Sequence, residues 1–152
     1  MTSHQAQAEE LLGAMNLLMD DIASYKSAVA LLAVHSAIAY NDAVLKRLTG
    51  STYKGQDHSE AARKTKAACV KKKINGKKID ASGIQHLERL VAKKTSYSYS
   101  GIVDVRIAQD AAMKATRFAN WAYRTALQRE SSNGQGTPCN CDNKFRSNHN
   151  QR

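Results

Sequence analysis

Apolar residues recur at intervals of three and four along five segments of this chain, which is the period of an amphipathic α-helix. The pattern predicts helices over about residues 4–20, 25–49, 57–73, 80–95 and 104–130. No segment alternates between apolar and polar residues, so no strand is predicted. We therefore expect an all-α fold: an up-and-down bundle of four to five helices over residues 4–130, followed by a polar, disordered tail over residues 131–152.

Residue types at the segment ends support these boundaries. Ser24 is placed to cap the second helix, and Gly50 to end it in a left-handed turn. Asp57 with Glu60 has the spacing of a capping box at the start of the third helix, and Asp104 is placed to cap the last one.

The fourth helix has two candidate starts. Asp80 can act as the cap with an Ile79–Ile84 staple, or Ser82 can act as the cap with Gln85 completing a box. An Asn-Gly turn at residues 75–76 separates this helix from the third.

Two polar residues interrupt the apolar stripe predicted for the second helix. His35 and Asp42 lie seven residues apart, on either side of Ile38, and so share a face that the helix is expected to bury. Together with His58, at the start of the third helix, they form a candidate catalytic or ligand-positioning cluster. The alternative is a structural network, in which Asp42 accepts a hydrogen bond from one imidazole and fastens the preceding loop to the bundle.

Positive charge is concentrated in the second half of the chain. The net charge is +10; residues 1–60 carry 4 basic and 7 acidic residues, whereas residues 61–130 carry 16 and 5. A run of eight Lys or Arg without an acidic residue spans residues 63–78. Such a field attracts polyanions, so we expect contact with RNA or DNA backbone; the alternative is a solvated surface. The candidate nucleic-acid-binding residues are Arg63, Lys64, Lys66, Lys71, Lys72, Lys73, Lys77 and Lys78, with Tyr97, Tyr99 and Arg106 as candidates for base stacking. In an extended loop Tyr97 and Tyr99 would lie on one side; the alternative is that they pack against a neighbouring helix end.

Two stretches carry a family resemblance. The helix HSAIAYNDAVLKRLTG followed by GQDHSEAARK, and the later KKTSYSYSGIVDVRIAQDAAMKATRFANW, resemble the HEPN superfamily of helical bundles over roughly residues 8–128. The resemblance implies a bundle that is commonly dimeric, with roles around nucleotides and RNA, often in toxin–antitoxin or defence systems. Many members are metal-independent ribonucleases whose motif is an Arg followed four to six residues later by a His. None of the five histidines here has that Arg, so the chain resembles a non-catalytic or divergent member.

Other chemistries lack their motifs. No nucleotide-binding glycine loop and no Glu-x-x-His of a di-iron bundle is present, so no cofactor is predicted. Cys139 and Cys141 with His149 lack an evident fourth ligand, so no metal site is predicted, and Cys69 is expected in the core. No apolar run approaches the ~20 residues of a membrane span, and the N-terminus lacks the order of a signal peptide, which favours a cytoplasmic protein.

Three functional classes follow from these patterns. The first is a HEPN-like, non-catalytic module that binds RNA or a nucleotide, as a component of a toxin–antitoxin or defence system. The second is a divergent ribonuclease that uses His58 or His35 with a Lys or Arg. The third is a scaffold whose partner is another protein. For each, the Ala-rich helices and the short chain favour a homodimer.

Overall fold

Five α-helices and one short hairpin make up the computed structural model, which describes residues 3–99, 101 and 103–127. The helices are α1 (Ser3–Met19), α2 (Lys26–Thr49), α3 (His58–Lys71), α4 (Ile84–Tyr99) and α5 (Val105–Thr125). The predicted all-α bundle is confirmed. The last helix is shorter than predicted, since α5 ends at Thr125 with Ala126 as its C-cap and does not continue to Glu130. The predicted tail with Cys139, Cys141 and His149 lies outside the described residues.

The second helix, α2, is the centre of the bundle, because it packs against all four other helices. The stripe predicted for this helix, with His35, Ile38 and Asp42 on a buried face, is wrong in part, since His35 is exposed and Ile38 is only partly buried. A helix that is enclosed on most sides has no single buried stripe, so its larger residues lie at the margins of the contacts. Its most deeply buried apolar residues are mostly small: Val29, Ala30, Ala33, Val34, Ala37, Ala43 and Val44, with Tyr40.

The last helix, α5, completes the core with a row of alanines and two aromatic rings. The ring centroids of Phe118 and Trp121 lie 5.3 Å apart in a stacked arrangement. Nε1 of Trp121 donates a hydrogen bond of 2.6 Å to the backbone oxygen of Asp80, which joins α5 to the segment leading into α4. The buried alanines are Ala108, Ala111, Ala112, Ala115, Ala119 and Ala122.

Several predicted helix ends are confirmed. Gly50 has a φ of 83° and ends α2 in the left-handed region, where glycine is the residue that fits without strain. The side chain of Asp57 accepts from the backbone N–H groups of Ser59 and Glu60, and that of Asp104 accepts from Ile107 at 2.8 Å.

Two predicted caps are wrong. Tyr25, not Ser24, occupies the cap position of α2, and it makes no side-chain capping bond. The carboxylate of Glu60 does not complete a capping box, because it forms an ion pair with Arg63 one turn further along α3.

The prediction of no strand fails at one short hairpin. Strands β1 (Lys73–Ile74) and β2 (Lys77–Lys78) pair in antiparallel register, with Lys73 opposite Lys78. Asn75 and Gly76 between them both have positive φ, 52° and 76°, as a type I′ turn requires. The Asn-Gly turn was thus predicted correctly, and its twist is what brings the flanking residues into register.

Both ends of α4 differ from the prediction. The carboxylate of Asp80 accepts from the N–H and hydroxyl of Ser82, which forms a local turn, and the helix begins only at Ile84. At its other end α4 continues through Tyr99 instead of stopping near Thr95.

The expectation that no segment resembles a membrane span needs a correction for α2. By length and composition alone, α2 is apolar enough to cross a membrane. Two thirds of its apolar window (67%) is buried inside the bundle, which is the environment of a core helix.

Candidate functional site

The basic run at residues 63–78 forms an exposed, outward-facing surface on α3 and the hairpin. All eight Lys and Arg side chains are exposed, but three have local partners. Arg63 pairs with Glu60, Lys66 lies 3.9 Å from Glu88, and the Lys64 ammonium lies 5.7 Å from the centroid of the Tyr53 ring. Within the described residues, the other five make no ion pair. These are Lys71, Lys72, Lys73, Lys77 and Lys78.

The predicted cluster of His35, Asp42 and His58 is only partly assembled. The positive charge of Lys94 on α4 acts on both imidazoles, and His35 acts on His58, so the three groups lie within electrostatic range of one another. Loss of surrounding water, and then Lys94, lower the pKa of His35 and of His58 below the usual range.

Asp42 does not belong with these three groups. Burial raises the pKa of its carboxyl group, and the charge that opposes this shift comes from His4 on α1. No hydrogen bond from an imidazole contributes to that shift, so the predicted arrangement, in which Asp42 orients an imidazole, is not seen. His35 and Asp42 share a face of α2 but lie two turns apart along its axis, a rise of about 10 Å, so they meet different neighbouring groups.

The two tyrosines proposed for base stacking lie in the last turn of α4 and not in an extended loop. Tyr97 is 7% exposed and packs in the core, whereas Tyr99 is 85% exposed. Their expected placement on one side is wrong, because residues two apart on a helix do not share a face. Burial raises the pKa of the Tyr97 hydroxyl, with a further contribution from the nearby Asp110.

Tyr97 and Arg106 instead meet in a cavity between α4 and α5, about 720 Å³ in volume, which we term the α4–α5 groove. Its single carboxylate, Asp110, is paired with Lys114 on the next turn. The other charged side chains that line it are all basic and make no ion pair within the described part of the chain: Arg89, Lys93 and Arg106.

A second, smaller cavity of about 230 Å³ lies between the same two helices, and we term it the end pocket. The groove joins the end of α4 to the start of α5, whereas the end pocket joins the start of α4 to the end of α5, so the helices run antiparallel. No carboxylate lines the end pocket. The polar side chains that line it are Ser82, Gln85, His86, Arg117, Asn120 and Arg124.

His86 lines the end pocket, and basic residues from both cavities act on its imidazole. Burial lowers its pKa, and the charges of Arg117, Arg89 and Lys114 lower it further. Nδ1 of the ring is buried without a hydrogen-bond partner among the described residues. A buried N–H without an acceptor is rarer than a buried lone pair without a donor, which favours the tautomer that carries the proton on Nε2.

Most of these basic residues were not predicted as site residues from the sequence. Their signal lies in helical spacing: Arg106, Arg117 and Arg124 recur at 11 and 7 residues, and His86, Arg89 and Lys93 at 3 and 4, so each set lies on one helix face. The acid-free run at residues 63–78 is more conspicuous in the sequence, but it lines neither of these two cavities. Two of its residues, Lys64 and Lys71, line another cavity of about 560 Å³ between α3 and the loop that follows α2.

No described group of three or more His, Cys, Asp or Glu side chains is arranged to hold a metal ion. The buried Cys69 packs in the core as predicted, and burial raises the pKa of its thiol to about 11. The chain matches no protein-family model, no curated protein and no solved structure.

Proposed function

We propose that this protein binds RNA through the phosphate backbone, along the surface between α4 and α5. The observation that carries the proposal is the concentration of basic side chains on facing sides of two antiparallel helices. Five of these side chains make no ion pair with any described residue: Arg89, Lys93, Arg106, Arg117 and Arg124.

The shape of the surface supports a strand-like ligand. From Arg106 to Arg124 the helix rises by about 27 Å at ~1.5 Å per residue. A stacked nucleic-acid strand advances by about 3.4 Å per phosphate, so roughly eight phosphates match that length. Guanidinium groups can hold phosphate oxygens in pairs, and four of the five unpaired basic residues are arginines from the two helix faces.

The exposed run at residues 63–78 is the competing surface on the same chain. A test therefore needs two variants that remove the same charge from different places. The groove triple variant carries Arg89→Gln, Lys93→Gln and Arg106→Gln. The control triple variant carries Lys72→Gln, Lys73→Gln and Lys78→Gln, all on or next to the exposed hairpin.

Both variants are titrated with a single-stranded RNA at several salt concentrations. Each phosphate contact with a single strand contributes about 0.7 to the slope of log K against log salt, so loss of three contacts should flatten the slope by about 2. We expect this change in the groove triple variant and little change in the control. Equal effects in the two variants, or loss of binding only in the control, would contradict the groove as the interface.

A second candidate function, a metal-independent ribonuclease, is favoured by one observation: His35, His58 and Lys94 lie within electrostatic range of one another. One imidazole would take the proton from a ribose 2′-hydroxyl, whose oxygen attacks the adjacent phosphorus. The other would protonate the departing 5′-oxygen, and the ammonium would stabilise the charge that develops on the phosphoryl oxygens. The products are a 2′,3′-cyclic phosphate and a 5′-hydroxyl end.

Incubation of end-labelled RNA with the protein and a chelator tests this candidate. Cleavage that is lost in His58→Ala and in His35→Ala, with cyclic phosphate ends, would support it. The matched control is His86→Ala, which removes an imidazole from another location. RNA that stays intact with the wild-type protein would contradict the ribonuclease and leave the binding proposal standing.

The HEPN-like assignment, a role in a toxin–antitoxin or defence system and a cytoplasmic location are further parts of the proposal. The resemblance described above is their support. A two-fold dimer belongs to the same proposal and is tested directly by light scattering of the purified protein, where a mass of one chain would contradict it.

A further inference from the structure

The end pocket differs from the rest of the surface between α4 and α5 in what it offers a ligand. Every charged or ionisable side chain that lines it is basic, and two amides, Gln85 and Asn120, add further donors. The α4–α5 groove, by contrast, contains the carboxylate of Asp110, which forms an ion pair with Lys114. Of the two cavities, the end pocket is therefore the one in which hydrogen-bond donors face a ligand without a competing carboxylate.

The size and charge of the end pocket limit the kind of ligand that it can bind. A volume of about 230 Å³ holds one phosphate with a sugar, but not several nucleotides. A phosphate monoester carries close to two negative charges and three free oxygens at neutral pH, whereas an internal phosphodiester carries one charge and two free oxygens. The two guanidinium groups of Arg117 and Arg124 match the first better, because each can donate two parallel bonds to a phosphate.

The wall of the pocket is rigid. Trp121 is 1% exposed, and its Nε1 is fixed to the backbone of Asp80, so the segment from Asp80 to Gly83 cannot move independently of α5. The carboxylate of Asp80 is occupied by the N–H and hydroxyl of Ser82. These two hydrogen bonds, and to a lesser extent the charge of Arg124, lower the pKa of that carboxyl, but the side chains of Asp80 and Arg124 form no ion pair. Both arginines thus remain available to an anion.

We propose that the end pocket recognises a phosphate monoester, and that in the RNA complex it holds the phosphorylated end of the strand whose backbone lies along the α4–α5 groove. The RNA part of this inference rests on the proposed function. The same chemistry is present in inorganic phosphate and in a mononucleotide, so the experiment separates these sources.

The measurement is the ratio of affinities for RNA strands of one sequence that carry a 5′-phosphate, a 3′-phosphate or only hydroxyl ends. We expect one phosphorylated form to bind about tenfold more tightly than the hydroxyl form, as one or two additional charge-assisted bonds would give. In Arg124→Gln this ratio should fall to about one. The matched control, Arg106→Gln, removes the same charge from the groove end of α5 and should weaken all three strands while keeping the ratio.

The outcomes separate the two proposals. Equal affinity of the wild-type protein for all three strands, with binding still sensitive to salt, would overturn the end pocket and leave RNA binding standing. If no strand binds, inorganic phosphate and adenosine monophosphate are tested by thermal shift. Stabilisation that is lost in Arg124→Gln but kept in Arg106→Gln would support the pocket without RNA, and no stabilisation would overturn it.

Discussion

The contact between Gly83 and Trp121 gives the sharpest test of how α4 is held against α5. A Cβ atom added at Gly83 would lie 2.2 Å from Cγ and 2.6 Å from Cβ of Trp121. Contacting carbon atoms are comfortable at about 3.5–4.0 Å. Gly83→Ala therefore requires the two segments to separate by more than an ångström.

The tryptophan has little room to withdraw. Its ring is stacked on Phe118, and its Nε1 hydrogen bond to Asp80 holds it against the segment that carries the glycine. Inserting a methyl group into a packed core costs about 1–3 kcal/mol, and loss of the hydrogen bond adds about 1 kcal/mol. Reduced freedom of the unfolded chain returns about 0.4–1 kcal/mol. The net loss should be about 2–3 kcal/mol, or a fall in Tm of about 10 °C for a chain of this size.

Gly13→Ala is the matched control for this substitution. Gly13 lies exposed within α1, and a Cβ atom there would have no neighbour within 4 Å. The control should be more stable than the wild type by about 0.5–1 kcal/mol, because alanine is the better helix former. Urea denaturation of both variants measures the difference. If Gly83→Ala is as stable as the wild type, or gains stability like the control, the close packing of α4 on Trp121 is refuted.

Two further predictions concern the bundle itself. The Tyr123 hydroxyl donates to the Glu9 carboxylate and so joins α5 to α1. Tyr123→Phe should therefore lower the free energy of unfolding, measured by urea denaturation, by about 1–3 kcal/mol. Tyr99→Phe on the surface should change it by less than about 0.5 kcal/mol. Since the folded protein lowers the pKa of His35 and His58 from the ordinary 6.5, the unfolded chain binds more protons, and stability should fall as pH drops from 7 through 6. His58→Asn should weaken this dependence of stability on pH. Stability that rises on acidification would contradict the lowered pKa values of the two imidazoles.

Local signals in the sequence predicted much of the fold. Gly50, Asp57 and Asp104 each act through their own backbone conformation or through atoms two or three residues away, so their effects are readable without the tertiary structure. The alanine row of α5 is equally local, because one side of that helix faces the core and the other faces water. The phase of α2 could not be predicted in this way, since helices on four sides leave it no polar face to define the stripe.

The candidate site is formed by side chains from two helices, so no single segment of the sequence reveals it. The basic residues of α4 and those of α5 each resemble an ordinary solvated helix face when they are read alone. Only the antiparallel packing of the two helices brings the charges of Lys114 and Arg117 on α5 to act on His86 together with that of Arg89 on α4. A run such as residues 63–78 is conspicuous because its charges are consecutive, but consecutive residues on a helix point in different directions.

The surface between α4 and α5, and not the longer basic run, is proposed as the interface because of its shape. On the outward-facing side of α3 and the hairpin, water and salt screen each ammonium group from its neighbours. The unpaired basic side chains between α4 and α5 are exposed as well, but they line two cavities in which charges from both helices face one ligand. The charges of Arg117, Arg89 and Lys114 accordingly act together on His86, whose pKa is lowered first by burial and then by these charges. An anion bound in such a cavity meets several basic groups at once, whereas one bound on the outward-facing surface mainly replaces salt ions. The end pocket offers the most favourable arrangement, because no carboxylate lines it.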